Sequence, residues 1–215
     1  MSASGGGPEP GASTSVGARL LGIGGEPLIL ASLSPRRREL LRMLGLRYET
    51  LVPDVLEGDR GPEEPPERYV ERLARAKACW VPKGLPGYAV LAADTIVHHD
   101  GEVLEKPGDA DHARALLRRL SGAWHEVFTG VCLRRLSDER IVTGHELSRV
   151  LFSPLDEETI EAYVATGEPM DKAGGYGIQG YGGLLVSRIE GCYFNVMGLP
   201  LPRLRRLAHE LEGQA

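Results

Sequence analysis

Cysteine is scarce in this chain: Cys79, Cys132 and Cys192 are odd in number and widely spaced. They fit neither a disulfide framework nor a zinc site, and they suit a reducing cytoplasm. Long apolar runs are missing as well. None approaches the ~18 residues that span a bilayer, so no membrane partner is expected. Basic charge is not in excess, since 25 Lys and Arg face 30 Asp and Glu for a net charge of -5. With no basic stripe carrying interleaved aromatics, nucleic acid is not expected as a partner either. Absent too are the G-x-S-x-G, H-E-x-x-H and P-loop sequences, which removes the usual serine hydrolases, zincins and Walker ATPases. His98 and His99 are adjacent on a strand end, where neighbours point to opposite faces, so they make no shared metal pair. Residues 1–26 hold eight glycines and one Lys or Arg, with no continuous apolar core. They read as a flexible tail whose removal should not affect stability, ahead of a single domain over 27–215.

What is present is concentrated in a few segments. Leu28-Ile29-Leu30 reads as a buried strand, followed by the small-residue turn Ala31-Ser32-Leu33-Ser34. Ser34 is placed as an N-cap, and Pro35 takes the first helical position, where its missing N–H costs nothing. Leu40, Leu41 and Leu44 supply an apolar face before Gly45 stops the helix. Arg36, Arg37 and Arg38 then crowd the first turn against the helix dipole. Either an anion such as phosphate meets them at the helix N-terminus, or they form a solvated face. The residues alone leave both open.

Helices and strands alternate beyond this point. Pro65-Pro66 opens a helix with Tyr69, Val70, Leu73, Ala74 and Ala78 on one stripe, and Lys77 lies on that same stripe. Tyr88 to Val97 is a central buried strand, and Asp100-Gly101 turns it into Glu102 to Lys106. Asp109 and Asp156 cap two further helices, with long strands over Val127 to Arg134 and Ile141 to Phe152 between them. Leu184 to Ile189 and Tyr193 to Met197 read as short strands, and Pro200 begins a last helix. Helices interleaved with hairpins and isolated strands indicate an α/β fold with a mixed sheet.

Some polar residues are out of place for a plain core. Asp94 interrupts the apolar run from Ala89 to Val97, where a carboxylate must be paired, metal-bound or at the open end of its strand. Ligands gather at such strand ends in α/β sheets. Lys77 read alone is a snorkelling lysine, Lys106 a loop lysine, and Glu57 carries no signal of its own. Glycine occupies six of the ten positions from Gly174 to Gly183. The interleaved Tyr176, Ile178, Gln179 and Tyr181 suit packing and specific hydrogen bonding rather than a loose tether. Gln179 offers a donor and an acceptor to a nucleobase edge. Lys172 can anchor a phosphate or pair with Asp171 or Glu168.

Taken in order, five segments resemble the Maf family of nucleoside triphosphate pyrophosphatases. They are Ala31 to Arg37, Ala93 to Val97, Leu104 to Pro107, Leu120 to Gly122, and Asp171 to Gly180, within a similarity running from about Leu28 to Leu211. The resemblance implies a two-lobed α/β fold, related to inosine-triphosphate pyrophosphatases, with an elongated mixed sheet, flanking helices and a central cleft. It implies a cytoplasmic, metal-dependent hydrolase that releases a nucleoside monophosphate and pyrophosphate. The chain is similar to the dTTP/UTP-cleaving branch at Arg37, Thr95 and Gln179, the positions that set base choice. By the same resemblance Asp94 is the proton acceptor, and Ser32, Arg36, Lys77 and Lys106 neutralise the triphosphate. Glu57 and Asp94 would hold Mg²⁺ or Mn²⁺. Whether Asp94 acts mainly as base or as metal ligand is left open, and a homodimer is compatible with the pattern. The rival expectation is a non-catalytic nucleotide-binding regulator of cell division, which would bind triphosphates without turnover.

Overall fold

The computed structural model describes residues 15–23, 26–55, 58–61, 63–85 and 87–213. Glu57 therefore lies outside the described residues. Seven strands form one mixed sheet in the order β2-β1-β3-β5-β6-β7, with β4 paired to β3. The short β1 (Leu28–Ala31) runs parallel to β2 (Tyr48–Leu51) and to β3 (Ala89–His99). From β3 onward the pairing is antiparallel, through β4 (Glu102–Leu104), β5 (Trp124–Arg135), β6 (Ile141–Phe152) and β7 (Val186–Glu190). The expected mixed α/β class is the observed one. Asp100 and Gly101 both take positive φ, at 50° and 82°, as a two-residue hairpin between right-twisted strands requires.

Helices start where the capping residues place them. The Ser34 hydroxyl accepts from Arg37 N–H to open α2 (Pro35–Met43). Asp109 and Asp156 accept from His112 and Thr159 N–H, each at 2.8 Å, to open α4 (Ala110–Leu120) and α5 (Glu157–Ala165). One face of the sheet is covered by α3 (Pro66–Trp80), whose Val70, Leu73, Ala74 and Ala78 pack on Val90, Ala92, Ile96 and Phe128. At Gly130 on β5 the approach is so close that a Cβ would overlap the Val70 backbone carbonyl. The C-terminus of α3 is finished by Arg134, whose Nη1 donates to the Ala78 and Val81 carbonyls. That side chain does the work of a C-cap from another strand. The opposite face carries two clusters. In the first, Leu40 and Leu41 of α2 meet Leu204, Leu207 and Leu211 of α7 (Leu201–Leu211) over Leu30 and Leu91. In the second, Leu116, Leu117 and Leu120 of α4 meet Ile160 and Tyr163 of α5 over Val97, Val127 and Phe152.

Two local expectations are corrected. Within the segment read as a flexible tail, Val16–Leu21 forms helix α1, capped by Ser15 and stopped by Gly22 at φ 73°. Leu21 is buried in the first cluster, and a Cβ on Gly17 would overlap the Leu44 carbonyl, so α1 is seated against the end of α2. Glycine content there serves docking: Gly17 permits close approach and Gly22 a left-handed cap. Deleting residues 1–23 is accordingly expected to lower Tm by several degrees in a calorimetric scan. Re-exposing Leu21 and the surface beneath it costs about 2 kcal/mol, worth roughly 2–4 °C per kcal/mol in a chain of this size. An unchanged Tm would show α1 to be dispensable. The second correction concerns Tyr193 to Met197, which is not a strand: Tyr193–Val196 is the short helix α6. Five residues do not distinguish the two periods, and the deciding interactions are tertiary. The Asn195 amide donates to the Val127 carbonyl at 2.8 Å and to Ser148 Oγ at 3.0 Å, tying the turn to β5 and β6.

Candidate active site

A cavity of about 550 Å³ opens beyond the C-terminal end of β1 and takes lining residues from both helical clusters. Ser32, Arg36, Arg37, Lys77, Asp94, Thr95 and Lys106 all line it. Seven of the nine residues singled out from sequence are thus brought to one hollow, from four separate segments. Gln179 does not line it, and Glu57 lies outside the described residues. Gln179 sits half-buried on the same glycine loop that sends Tyr176 and Gly177 to the cavity wall.

Asp94 is 8% exposed, and Lys77 Nζ donates to its Oδ1 at 2.5 Å. The geometry follows from period: Lys77 lies seven residues after Val70, two turns along the face of α3 that touches β5. Asp94 stands opposite Gly130 in the β3–β5 ladder, so its side chain emerges on that same face. The lysine on the apolar stripe is therefore no snorkeller. It is the partner that lets a carboxylate sit in the sheet.

Arg37 fits neither of the two readings open for the first-turn arginines, a phosphate anchor or a solvated face. It is 8% exposed, and all three of its nitrogens donate into the protein: Nε to the Gly198 carbonyl at 2.7 Å, Nη1 to Ser32 Oγ at 2.9 Å and Nη2 to Thr95 Oγ1 at 3.0 Å. Gly198 adopts φ 100°, and a Cβ there would press on Thr95 Oγ1 at 3.3 Å. Ser32 Oγ accepts from Arg37 and from Ser34 N–H at 3.2 Å. Its own hydroxyl proton can therefore turn toward a ligand in the cavity. Arg36, next along the helix, is half-buried on the wall, and Lys106 is exposed at the rim. Charge around the hollow is mainly positive, as an anionic ligand demands in a chain of net charge -5.

The glycine loop is organised by a residue that the sequence suggests only as a partner for Lys172. Glu168 Oε1 accepts from Tyr163 Oη at 2.9 Å and from Gly182 N–H at 3.0 Å, while Oε2 accepts from Tyr181 N–H at 3.1 Å. Tyr163 Oη accepts in turn from Gly177 N–H at 3.2 Å. A Cβ at Gly180 or Gly182 would strike this carboxylate or the Gly177 carbonyl, which accounts for two of the glycines. Lys172 Nζ donates to the Glu168 carbonyl and to Asp171 Oδ1, both at 2.6 Å, so it holds the loop base rather than standing free for a phosphate. Behind the wall, His125 Nε2 lies 2.7 Å from Tyr176 Oη. Burial and the nearby His99 hold the His125 imidazole down to about 3, which keeps it neutral inside the core.

A divalent cation can be tested against these donors. No cluster of three His, Cys, Asp or Glu exists among the described residues. Mg²⁺ does not need one, because it takes one or two carboxylates and completes its shell with substrate phosphates and water. Asp94 supplies such a carboxylate within a cavity lined by cations, so the donor chemistry fits a metal that arrives with a polyphosphate.

The family model for Maf-like proteins matches residues 27–211. This chain belongs to the Maf family. Among its Maf relatives, a dTTP/UTP pyrophosphatase of Salinibacter ruber is 50% identical over 84% of this chain and 88% of its own length. Another, from Symbiobacterium thermophilum, is 54% identical over 83% of this chain and 90% of its own. A solved dITP/XTP pyrophosphatase of Mycobacterium abscessus superposes at a TM-score of 0.37 and 17% identity, over 60% of this chain and 75% of that one. That likeness is too slight to carry an argument. Among the described residues of this Maf protein, no helix is long and apolar enough to cross a membrane.

Proposed function

We propose that this chain is a nucleoside triphosphate pyrophosphatase of the cytoplasm that hydrolyses dTTP and UTP to the monophosphate and pyrophosphate. The observation that carries the reading is a buried carboxylate, Asp94, ion-paired to Lys77 on the wall of a cavity that Arg36, Lys106 and Ser32 also line. Triphosphate cleavage needs a group that takes or orients the proton of an attacking water, surrounded by cations that stabilise charge on the leaving group. Relatives that share half of the sequence and bear the dTTP/UTP pyrophosphatase name support the same substrates.

In the mechanism, water attacks the α-phosphorus and the bond to the bridging oxygen of pyrophosphate breaks. Asp94 accepts the water proton through its carboxylate, whose orientation Lys77 fixes. Ser32 donates its hydroxyl to a phosphate oxygen, while Arg36 and Lys106 offset the negative charge that grows on pyrophosphate. Asp94, with the expected help of Glu57, would hold a divalent cation, which when bound would neutralise charge on the polyphosphate. Thr95, held by Arg37, meets the base at the cavity wall, and Gln179, which stands off that wall on the glycine loop, is the third base-selecting residue that the family resemblance implies.

A pyrophosphate-release screen over the common triphosphates, with Mg²⁺ and with Mn²⁺, tests this directly. dTTP and UTP should exceed CTP and the purine triphosphates in kcat/KM. Gln179→Ala should depress UTP more than CTP, because a lost buried pair costs about 1–3 kcal/mol only where it was made. Lys106→Ala should lower all substrates by similar factors. If Gln179→Ala reduces every triphosphate equally, Gln179 is a structural residue of the loop and not a reader of the base.

A further inference from the structure

The polarity of one hydroxyl in the cavity is dictated from behind it. Thr95 and Thr129 stand opposite each other in the β3–β5 ladder, with their hydroxyl oxygens 3.0 Å apart. Thr129 Oγ1 also lies 3.0 Å from the backbone carbonyl oxygen of Asn195. A carbonyl carries no proton, so the hydrogen in that contact is the one Thr129 owns. The contact between the two threonines must then be filled by the proton of Thr95. Arg37 Nη2 donates into Thr95 Oγ1 as well. With its proton sent inward and one lone pair taken, Thr95 has a single lone pair to show the cavity. It presents an acceptor and no donor.

The residues behind Thr95 are arranged to keep it so. Thr129 and Asn195 are both 0% exposed, so neither meets a ligand. Gly198 N–H donates to the same Asn195 carbonyl at 2.9 Å, and the Asn195 amide is anchored to Val127 and Ser148. The carbonyl that orients Thr129 is thus held on two sides. Thr95 itself is only half-buried and lines the cavity.

We infer that Thr129 is a positioning residue that sets the hydrogen-bond polarity of Thr95, and so makes the cavity favour an imide base over an aminopyrimidine. The inference rests on the pyrimidine reading above. The preference holds with Thr95 meeting position 3 of the base, as proposed here, since uracil and thymine carry a donor N–H at N3 that an acceptor hydroxyl matches. Cytosine carries a bare nitrogen there, and two lone pairs would face each other. A Thr95 free to rotate would serve either base. The discrimination comes from fixing the proton, a task the Thr95 side chain cannot do alone.

The test compares wild type with Thr129→Val, Thr129→Ala and Thr129→Ser by kcat/KM for UTP and CTP, alongside thermal melts and inhibition by tripolyphosphate. Val and Ala remove the acceptor for the Thr95 proton, and the UTP-to-CTP ratio should fall about tenfold in both, the worth of one hydrogen bond to a buried group. Ala only deletes atoms and serves if Val does not fold. Ser keeps the hydroxyl and should hold the ratio within about twofold of wild type. Tripolyphosphate, which has no base, should inhibit all four proteins equally. Equal losses for UTP and CTP in Val and Ala, or a Ser variant that behaves like them, would overturn the inference. A wild-type enzyme with no preference for UTP over CTP would instead overturn the pyrimidine reading beneath it.

Discussion

Asp94→Asn is expected to give a folded protein that still binds dTTP and UTP but turns them over at least ~10²-fold more slowly. Asparagine keeps an oxygen for Lys77 Nζ to donate to, so the link between β3 and α3 persists and the sheet is undisturbed. What is lost is the charge, and with it the capacity to take a proton. A buried carboxylate without a task would be a poor use of a central strand, since an unpaired charge there costs several kcal/mol and an apolar pair is usually as stable. The measurement is single-turnover release of pyrophosphate, with nucleotide affinity determined separately. Retention of more than about a tenth of wild-type kcat would sink the assignment, whether Asp94 is thought of as base or as metal ligand.

The second large effect is expected at a residue outside the cavity lining, in Gly130→Ala. A Cβ on Gly130 would overlap the backbone of Val70 and Glu71, and helix backbone cannot rotate aside as a side chain does. Helix α3 must move outward, at a cost of roughly 1–3 kcal/mol for overpacking a close-packed interface. Because Lys77 rides on α3 and Asp94 stands directly opposite Gly130, the same shift draws the lysine away from the carboxylate. Misplacing catalytic groups by about 1 Å costs on the order of 10²-fold in rate. Gly144→Ala on the adjacent strand is the control. There the added methyl meets the flexible ends of Arg203 and Leu207 at 3.3 Å and 3.4 Å, and little should change. A Gly130→Ala enzyme with wild-type Tm and kcat would show that α3 is free to adjust and that the ion pair does not depend on its depth.

Local chemistry was legible from the residues because its causes are local. Ser34, Asp109 and Asp156 cap helices wherever they occur before an apolar period, and Asp100-Gly101 turns a hairpin by its own backbone preference. Asp94 was conspicuous because a carboxylate in an apolar strand is expensive. The partner on α3 is also visible in retrospect, since a lysine on a buried stripe needs a reason. What could not be read depends on distant parts of the chain. Nothing near Arg37 says that it turns inward, since the carbonyl that receives it belongs to Gly198. The seat of α1 is made by Leu44 and α7, and composition alone made the segment look like a tail. Thr129 carried one faint signal, a hydroxyl within the run Val127-Phe128-Thr129-Gly130-Val131, but its role needs the backbone of Asn195. Glu168 gave less still, because a glutamate near a glycine loop is commonplace until three backbone and side-chain donors converge on it.

The hydrogen bond from Arg37 to Gly198 has a temporal side, since it joins residues 161 positions apart. On the ribosome the chain emerges from its N-terminus at about 5–20 residues per second, so β1 and α2 wait several seconds or more for the other half of that bond. Closing so long a loop is entropically costly, and contacts of that span are made late in folding. Until the last helix arrives, Leu40 and Leu41 lack their cover from Leu204 and Leu207, and the arginine has no carbonyl to bind. A nascent chain therefore carries Arg36, Arg37, Lys77 and Lys106 of the cavity wall before it carries the Gly198 carbonyl that fixes one of them.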